Sequence, residues 1–242
     1  MSETFQIVHI PDGQKQSAAT WRAMMQWIVD HVTSNNIKLV SFVGDMIENA
    51  DSSDATAIAE YAAITPATNL LYGIVPFGIL PGNHDLRQPA RFKSVFPVSS
   101  VSGYSWFVSA SPDELSYAQM FTAGGVQIIN LSIKFGPTSG GATLGWAAGV
   151  MAANPTARVI LSTHSYLEVA GTLTAEGQII FDELVTPSVA QIFLGLCGHR
   201  HGTYHRVDTI GGYQVDSLLA DYQDETADNG GNGYMRLITL TV

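Results

Sequence analysis

Only one of the 242 residues is a cysteine, Cys197, which excludes a disulfide framework or a thiolate zinc cluster built within one chain. Charge is also scarce. Charged residues make up 13% of the chain, and 11 Lys plus Arg against 21 Asp plus Glu leave a net charge of −10. That sign opposes attraction to duplex DNA, RNA or an acidic membrane surface, and no basic stripe offsets it. No apolar run approaches the roughly 18–20 residues of a membrane span, and the opening MSETFQIVHIPDG lacks the basic region and apolar stretch of a signal peptide. The expectation is therefore a soluble protein without a long nucleic acid or a membrane as partner. A removed signal or excision from a longer polypeptide would leave the same trace, and the few lysines and many small residues fit an exported protein. Apolar material is plentiful at 46%, which excludes a disordered or coiled-coil chain. With roughly 100–200 residues as the usual domain size, residues 1–242 read as one domain.

Residues 5–10 form a β-branched apolar run stopped by Pro11-Asp12-Gly13, a strand feeding a loop. Ser17 then caps a helix whose apolar positions, Trp21, Met24, Met25, Ile28, Val29 and Val32, recur at helical spacing. A second strand over 38–43 ends at Gly44-Asp45, helical composition over 53–71 is interrupted or kinked near Pro66, and a third strand over 76–80 ends at Pro81-Gly82-Asn83-His84-Asp85. This βαβ alternation predicts a parallel sheet. An irregular, cap-like insertion is expected over about 87–117, with aromatics but no period. Further strands are expected over 126–133, 158–163 and 192–196, with a helix over 144–153. The chain closes with a hairpin around Ile210-Gly211-Gly212, a Gly-rich loop over 228–233 and a last strand over 234–242.

The polar residues worth a functional reading all follow predicted strands: Asp12 and Gln14, Asp45, Asn83 to Asp85, His164, then His199 and His201. Ligands of open α/β sheets bind at the carboxyl ends of strands. Carboxylate, amide and imidazole groups gathered there suit divalent Mn, Fe, Zn or Mg. Taken singly each block is weak, since Gly-Asp after a strand is commonly a turn and a lone histidine is commonly structural. In order, Asp12-Gly13-Gln14, Gly44-Asp45, Gly82-Asn83-His84-Asp85, His164 and Gly198-His199-Arg200-His201 resemble the calcineurin-like metallophosphoesterases, over residues 7–201.

The resemblance implies an α/β fold, a four-layer αββα sandwich of two mixed β-sheets flanked by helices, with two divalent metal ions and hydrolysis of phosphate esters by a metal-bridging hydroxide. By position the first ion takes Asp12, Gln14, Asp45 and His201, and the second takes Asp45, Asn83, His164 and His199. One block departs from the family, which usually has Asp-x-His where this chain has Gln14. His84 is implied as general acid with Asp85 orienting its ring. Arg87, Arg91 and Lys93 follow closely, and Arg87 and Arg91 at i, i+4 either meet a substrate phosphate or form a solvated helix face. Tyr166 either frames an apolar leaving group or belongs to the core. His9, His31 and His205 match no block and read as structural, as does Cys197. Two functions follow: a phosphodiesterase or phosphomonoesterase acting on a small-molecule ester, or a recognition or assembly module in which Gln14 marks a weakened first site. The oligomeric state is left open.

Overall fold

The computed structural model describes residues 2–223 and 233–242, so residues 228–232 of the expected Gly-rich loop lie outside the described residues. Strands β1 (Thr4–Ile10), β2 (Ile37–Phe42) and β3 (Phe77–Ile79) alternate with helices α1 (Ala18–His31) and α2 (Asp54–Thr68). Then come α3 (Pro89–Val95), β4 (Phe107–Ala110), β5 (Tyr117–Ala123), β6 (Val126–Ile133), α4 (Ala142–Ala153) and β7 (Arg158–Thr163). The chain ends with α5 (Ala175–Ile180), β8 (Ile192–Cys197), β9 (Gly202–Ile210), β10 (Tyr213–Asp221) and β11 (Arg236–Thr241). A four-stranded sheet has the order β11-β1-β2-β3, and a seven-stranded sheet the order β4-β5-β6-β7-β8-β10-β9. Both are mixed: β1, β2 and β3 run parallel with β11 antiparallel, and β6, β7, β8 and β10 run parallel with antiparallel strands at both ends.

Strand alternation makes the layers. Val8 and Ile10 point from β1 to α1 and α2, where Trp21, Met25, Ile28 and Tyr61 are buried, while Phe5 and Ile7 point to the opposite face. There they meet Leu39, Val43, Phe121, Ile128, Ile160, Leu194 and Leu196 between the sheets. Beyond the larger sheet, Leu144, Ala147 and Met151 of α4 and Ile180 of α5 cover Val159 and Leu161. The architecture is the expected helix, sheet, sheet, helix sandwich. Each fully buried Leu, Ile or Phe contributes about 1.5–3 kcal/mol to holding the layers together. A polar chain crosses the central layer: Ser41 Oγ donates to Ser162 Oγ at 2.8 Å, which donates to Asn130 Oδ1 at 2.7 Å. Every link is satisfied, so it aligns the two sheets without an unpaired group.

Ser17 caps α1 as expected, accepting from the Thr20 N–H at 3.0 Å. Two local expectations change. α2 runs through Pro66, whose missing N–H falls in the last turn, and continues as a 3₁₀ turn over Asn69–Leu71. The segment 87–117 is no irregular cap: it contains α3 and the edge strand β4, and its Phe92, Phe96, Trp106 and Phe107 pack against the first core. Those aromatics lacked a period because they fill gaps between elements rather than face one side of a helix. No helix among the described residues is long and apolar enough to cross a membrane.

Candidate metal centre

The parallel strands of both sheets deliver their carboxyl ends to one edge of the sandwich. Asp12 and Gln14 follow β1, Asp45 follows β2, Asn83 and His84 follow β3, His164 follows β7 and His199 follows β8. Two of the four described non-glycine residues with positive φ, Asp45 (φ 48°) and His199 (φ 72°), stand here. Left-handed backbone costs a non-glycine residue about 1–2 kcal/mol, a strain commonly held at functional sites. Gly44 (φ 103°) makes the turn that presents Asp45. At Gly198 a Cβ would sit 2.0 Å from Asp12 Oδ2, so only glycine lets β8 approach β1.

These turns converge on Asp45. Its Oδ1 accepts the His84 N–H at 2.9 Å, while Oδ2 lies 3.4 Å from both Gln14 Nε2 and His164 Nε2. His164 bridges the sheets: Nδ1 donates to the Val43 carbonyl at 2.8 Å, leaving Nε2 toward Asn83 Oδ1 at 2.9 Å. Asp12 accepts the His199 N–H at 3.0 Å, and its Oδ1 lies 3.9 Å from His164 Nδ1. Asp45, His164 and His199 each offer one ligand atom within 4.8 Å of the others. Gln14 Oε1 is buried without a hydrogen-bond partner. A buried acceptor in that condition costs about 1–3 kcal/mol unless something electropositive meets it. This donor set of carboxylate, amide oxygen and imidazole fits a hard or borderline divalent cation.

Electrostatics agree. Burial pushes Asp12 well above the usual carboxylate range, and the charges of Asp221 and Asp45 add to this against the opposing pull of His164. Burial would raise Asp45 too, but His164, with its charge and hydrogen bond, and the His84 N–H outweigh it and hold the carboxyl below its ordinary value. For His164 burial opposes protonation, yet Asp45 and Asp12 raise it to about 9. Burial, then repulsion from His164, lowers His199 to about 4. Acids crowded in a buried place draw any available positive charge, here a proton, elsewhere a metal ion.

Two expectations are corrected, and for Tyr166 the core alternative holds. Asp85 does not orient His84: it is fully buried, and its carboxylate accepts from Gly82 N–H (3.0 Å), Met46 N–H (3.1 Å) and Tyr61 OH (2.9 Å). It pins two site loops together, and burial followed by the Asp45 charge raises it to about 7. The His84 ring is held instead by Glu48, through Nδ1 to the backbone carbonyl at 2.7 Å and to Oε2 at 3.6 Å. Arg87 and Arg91 do not share a helix face, because Gln88 (φ −137°, ψ 70°), restricted by Pro89, separates a 3₁₀ turn from α3. Their guanidiniums pair with Asp51 and Asp54 at 3.0 and 2.7 Å. Tyr166, 2% exposed, packs in the second core.

Sequence reasoning passed over Glu48, Phe135 and Asp221. Phe135, at the end of β6, sets its ring 5.6 Å from that of His164 and 5.7 Å from that of His199. Asp221 ends β10 with Oδ2 3.8 Å from His201 Nε2. Both stand at strand ends, the signal that singled out the other residues. His31, stacked on Trp27, and His205, paired with Asp216 at 2.7 Å, stand apart from this cluster, and Cys197 is buried at 1% exposure.

No family model matches the chain. Over 225 residues it is 28% identical to the uncharacterized protein YvnB of Bacillus subtilis (strain 168), a match covering 88% of the chain and 17% of YvnB. Among solved structures it resembles a dimetal phosphatase from Danio rerio, with TM-score 0.61 and 13% identity over 90% of this chain and 88% of that one. A purple acid phosphatase from yellow lupin (Lupinus luteus) seeds gives TM-score 0.61 and 13% identity over 100% of this chain and 50% of that one. GAP50, the anchor in the inner membrane complex of Plasmodium, gives TM-score 0.50 and 10% identity over 90% and 71%. The chain thus has the α/β sandwich fold of dimetal and purple acid phosphatases.

Proposed function

We propose that this protein is a metal-dependent phosphoesterase acting on small phosphate esters, with two divalent ions of the Mn, Fe, Zn or Mg type. The first ion would be held by Asp12, Gln14, Asp45 and His201, the second by Asp45, Asn83, His164 and His199. The observation that carries this reading is the convergence of Asp45, His164 and His199 ligand atoms within 4.8 Å, beside the buried, unpartnered Gln14 Oε1. When bound, such ions acidify a water and neutralise phosphoryl oxygens. The chain's own groups do the rest. His164 keeps Nε2 turned to the centre because Nδ1 is committed to the Val43 carbonyl. Glu48 anchors His84 through Nδ1, so Nε2, 3.9 Å from Asp45 Oδ2, faces the centre and hands a proton to the departing ester oxygen. Phe135 gives the site an apolar wall.

A second reading, a binding or assembly module, is supported by Gln14 at a position where imidazole is usual and by a similar fold in an anchor protein. Elemental analysis combined with rates on matched aryl phosphomonoester and phosphodiester substrates separates the two. The enzyme reading expects two equivalents of transition metal with turnover, both abolished in Asp45→Ala. Metal-free protein that stays inert after Mn²⁺ addition sinks it and favours the module.

A further inference from the structure

We propose that Phe135 is a specificity-determining residue of this centre, a ring that selects phosphate esters whose leaving group is flat, apolar and uncharged. The inference rests on the metal-centre reading above and names a substrate class for it. Phe135 stands where β6 leaves the larger sheet, beside carboxylate, amide and imidazole groups, and it is half-buried. Its ring is perpendicular to that of His164, with centroids 5.6 Å apart and planes at 80°, and tilted against that of His199 at 5.7 Å and 45°. The part of the ring left to water is apolar surface that an apolar ligand covers at a gain. Small-ligand sites pair such walls with a few convergent polar groups, and aromatic rings add a preference for stacked or edge-to-face contact with another ring.

The fold sets where this residue stands. The Phe135 N–H donates to the Pro81 carbonyl at 3.0 Å, which ties the exit of β6 to the exit of β3, and Gly136 (φ 68°) turns the chain immediately beyond it. Phe135 is thereby braced against the loop that carries Asn83 and His84. The other aromatics near the motifs are committed elsewhere: Tyr166 is in the second core, and Phe92 and Phe96 are in the first. Charge gives the second reason. The guanidiniums that adjoin the ligand blocks are each held by a carboxylate, Arg87 by Asp51 at 3.0 Å, Arg91 by Asp54 at 2.7 Å and Arg200 by Glu168 at 3.0 Å. With these cations neutralised and a net charge of −10, the chain opposes a leaving group that brings a second phosphate or a carboxylate. An uncharged ring carries no such penalty.

The test uses the full 242-residue chain loaded with Mn²⁺ and titrated by calorimetry with phenylphosphonate and methylphosphonate. Their P–C bond resists hydrolysis, and the carbon group stands where the leaving group would, so affinity is read without turnover. Wild type is expected to bind phenylphosphonate roughly 10-fold more tightly than methylphosphonate, and 4-carboxyphenylphosphonate more weakly than phenylphosphonate. Phe135→Ala should bring the phenyl and methyl affinities together while the protein keeps its Mn²⁺ by elemental analysis. Where the alanine variant sheds metal, Phe135→Leu, which fills similar space without a flat face, carries the same expectation. Equal affinity of wild type for the two phosphonates would overturn the inference, as would a preference that survives both substitutions or a carboxyl group that improves binding. Loss of Mn²⁺ in both variants would overturn it too, since that marks a ring that only supports the histidines. A wild-type chain that binds no Mn²⁺, or binds it and hydrolyses neither phenyl nor methyl phosphate, overturns the metal-centre reading itself.

Discussion

His84 and Asp85 adjoin in the chain and are separated in role by where their side chains point. Asp85 turns inward to two backbone N–H groups and Tyr61, while His84 turns to Glu48. His84→Ala is therefore expected to retain metal while losing about 10²–10⁴-fold in kcat/KM on esters with basic leaving groups, and much less on activated aryl esters. A leaving-group series measures this, and equal losses across it would remove His84 from the acid role. Gln14 is the other decisive residue, its Oε1 buried without a partner and its Nε2 3.4 Å from Asp45 Oδ2. As a neutral oxygen donor it should leave the first ion the looser one, lost first to a chelator. Gln14→His should then tighten that ion and lessen the need for added Mn²⁺. Unchanged titration curves would show that Gln14 is not a ligand. The candidate ligand residues were readable because each follows a strand; the partner of His84 was not, because a loop folding back chose Glu48 over the sequence neighbour.

Among elements, α2 does more than fill the first layer. Its Glu60 accepts from the backbone N–H groups of Glu48 and Asn49 at 3.0 and 2.9 Å, and from Asn49 Nδ2 at 2.8 Å, so it braces the loop that holds His84. Glu60→Ala should lower kcat with little change in bound metal, because it loosens the Glu48 carbonyl without touching a ligand. Elemental analysis together with kcat checks this, and metal loss equal to activity loss would place Glu60 in the centre itself. The α1 pattern was legible through its Ser17 cap and apolar face, and α2 through its helical composition over 53–71; the Ser53 cap came only with the structure. By contrast α3, β4, β5 and α5 were missed. α3 and α5 are short, at seven and six residues, and such elements are stabilised mainly by packing rather than by local propensity.

At the scale of the molecule, stability depends on a central layer that excludes water. His9 lies there: it is fully buried, opposite Ser41 in the register of β1 with β2, and both ring nitrogens lack partners. Burial, then the nearby Arg236 charge, lowers it to about 3. Between that value and the ordinary 6.5 the unfolded chain binds a proton that the folded chain does not. Stability is therefore full above pH ~6.5 and falls as pH drops toward ~3, by up to about 1.4 kcal/mol per pH unit from this group alone. His9→Leu should flatten that acid limb. Urea unfolding at several pH values measures it, and an unchanged slope would assign the acid sensitivity to other groups.

The sequence alone determined the alternation of strand and helix over its first 85 residues, the absence of a disulfide framework, and the positions at which polar residues leave strand ends. These are local properties, set by side-chain period, turn chemistry and spacing along the chain. Tertiary structure decided the rest: which edge each strand takes in two sheets, that the 87–117 segment joins the core, that Tyr166 is interior, and that Glu48 and Asp221 flank the histidines. Those outcomes depend on contacts between residues far apart in the chain. Asp221 meets His201 only because a hairpin closes in one register, and His164 meets Val43 only because two sheets pack face to face.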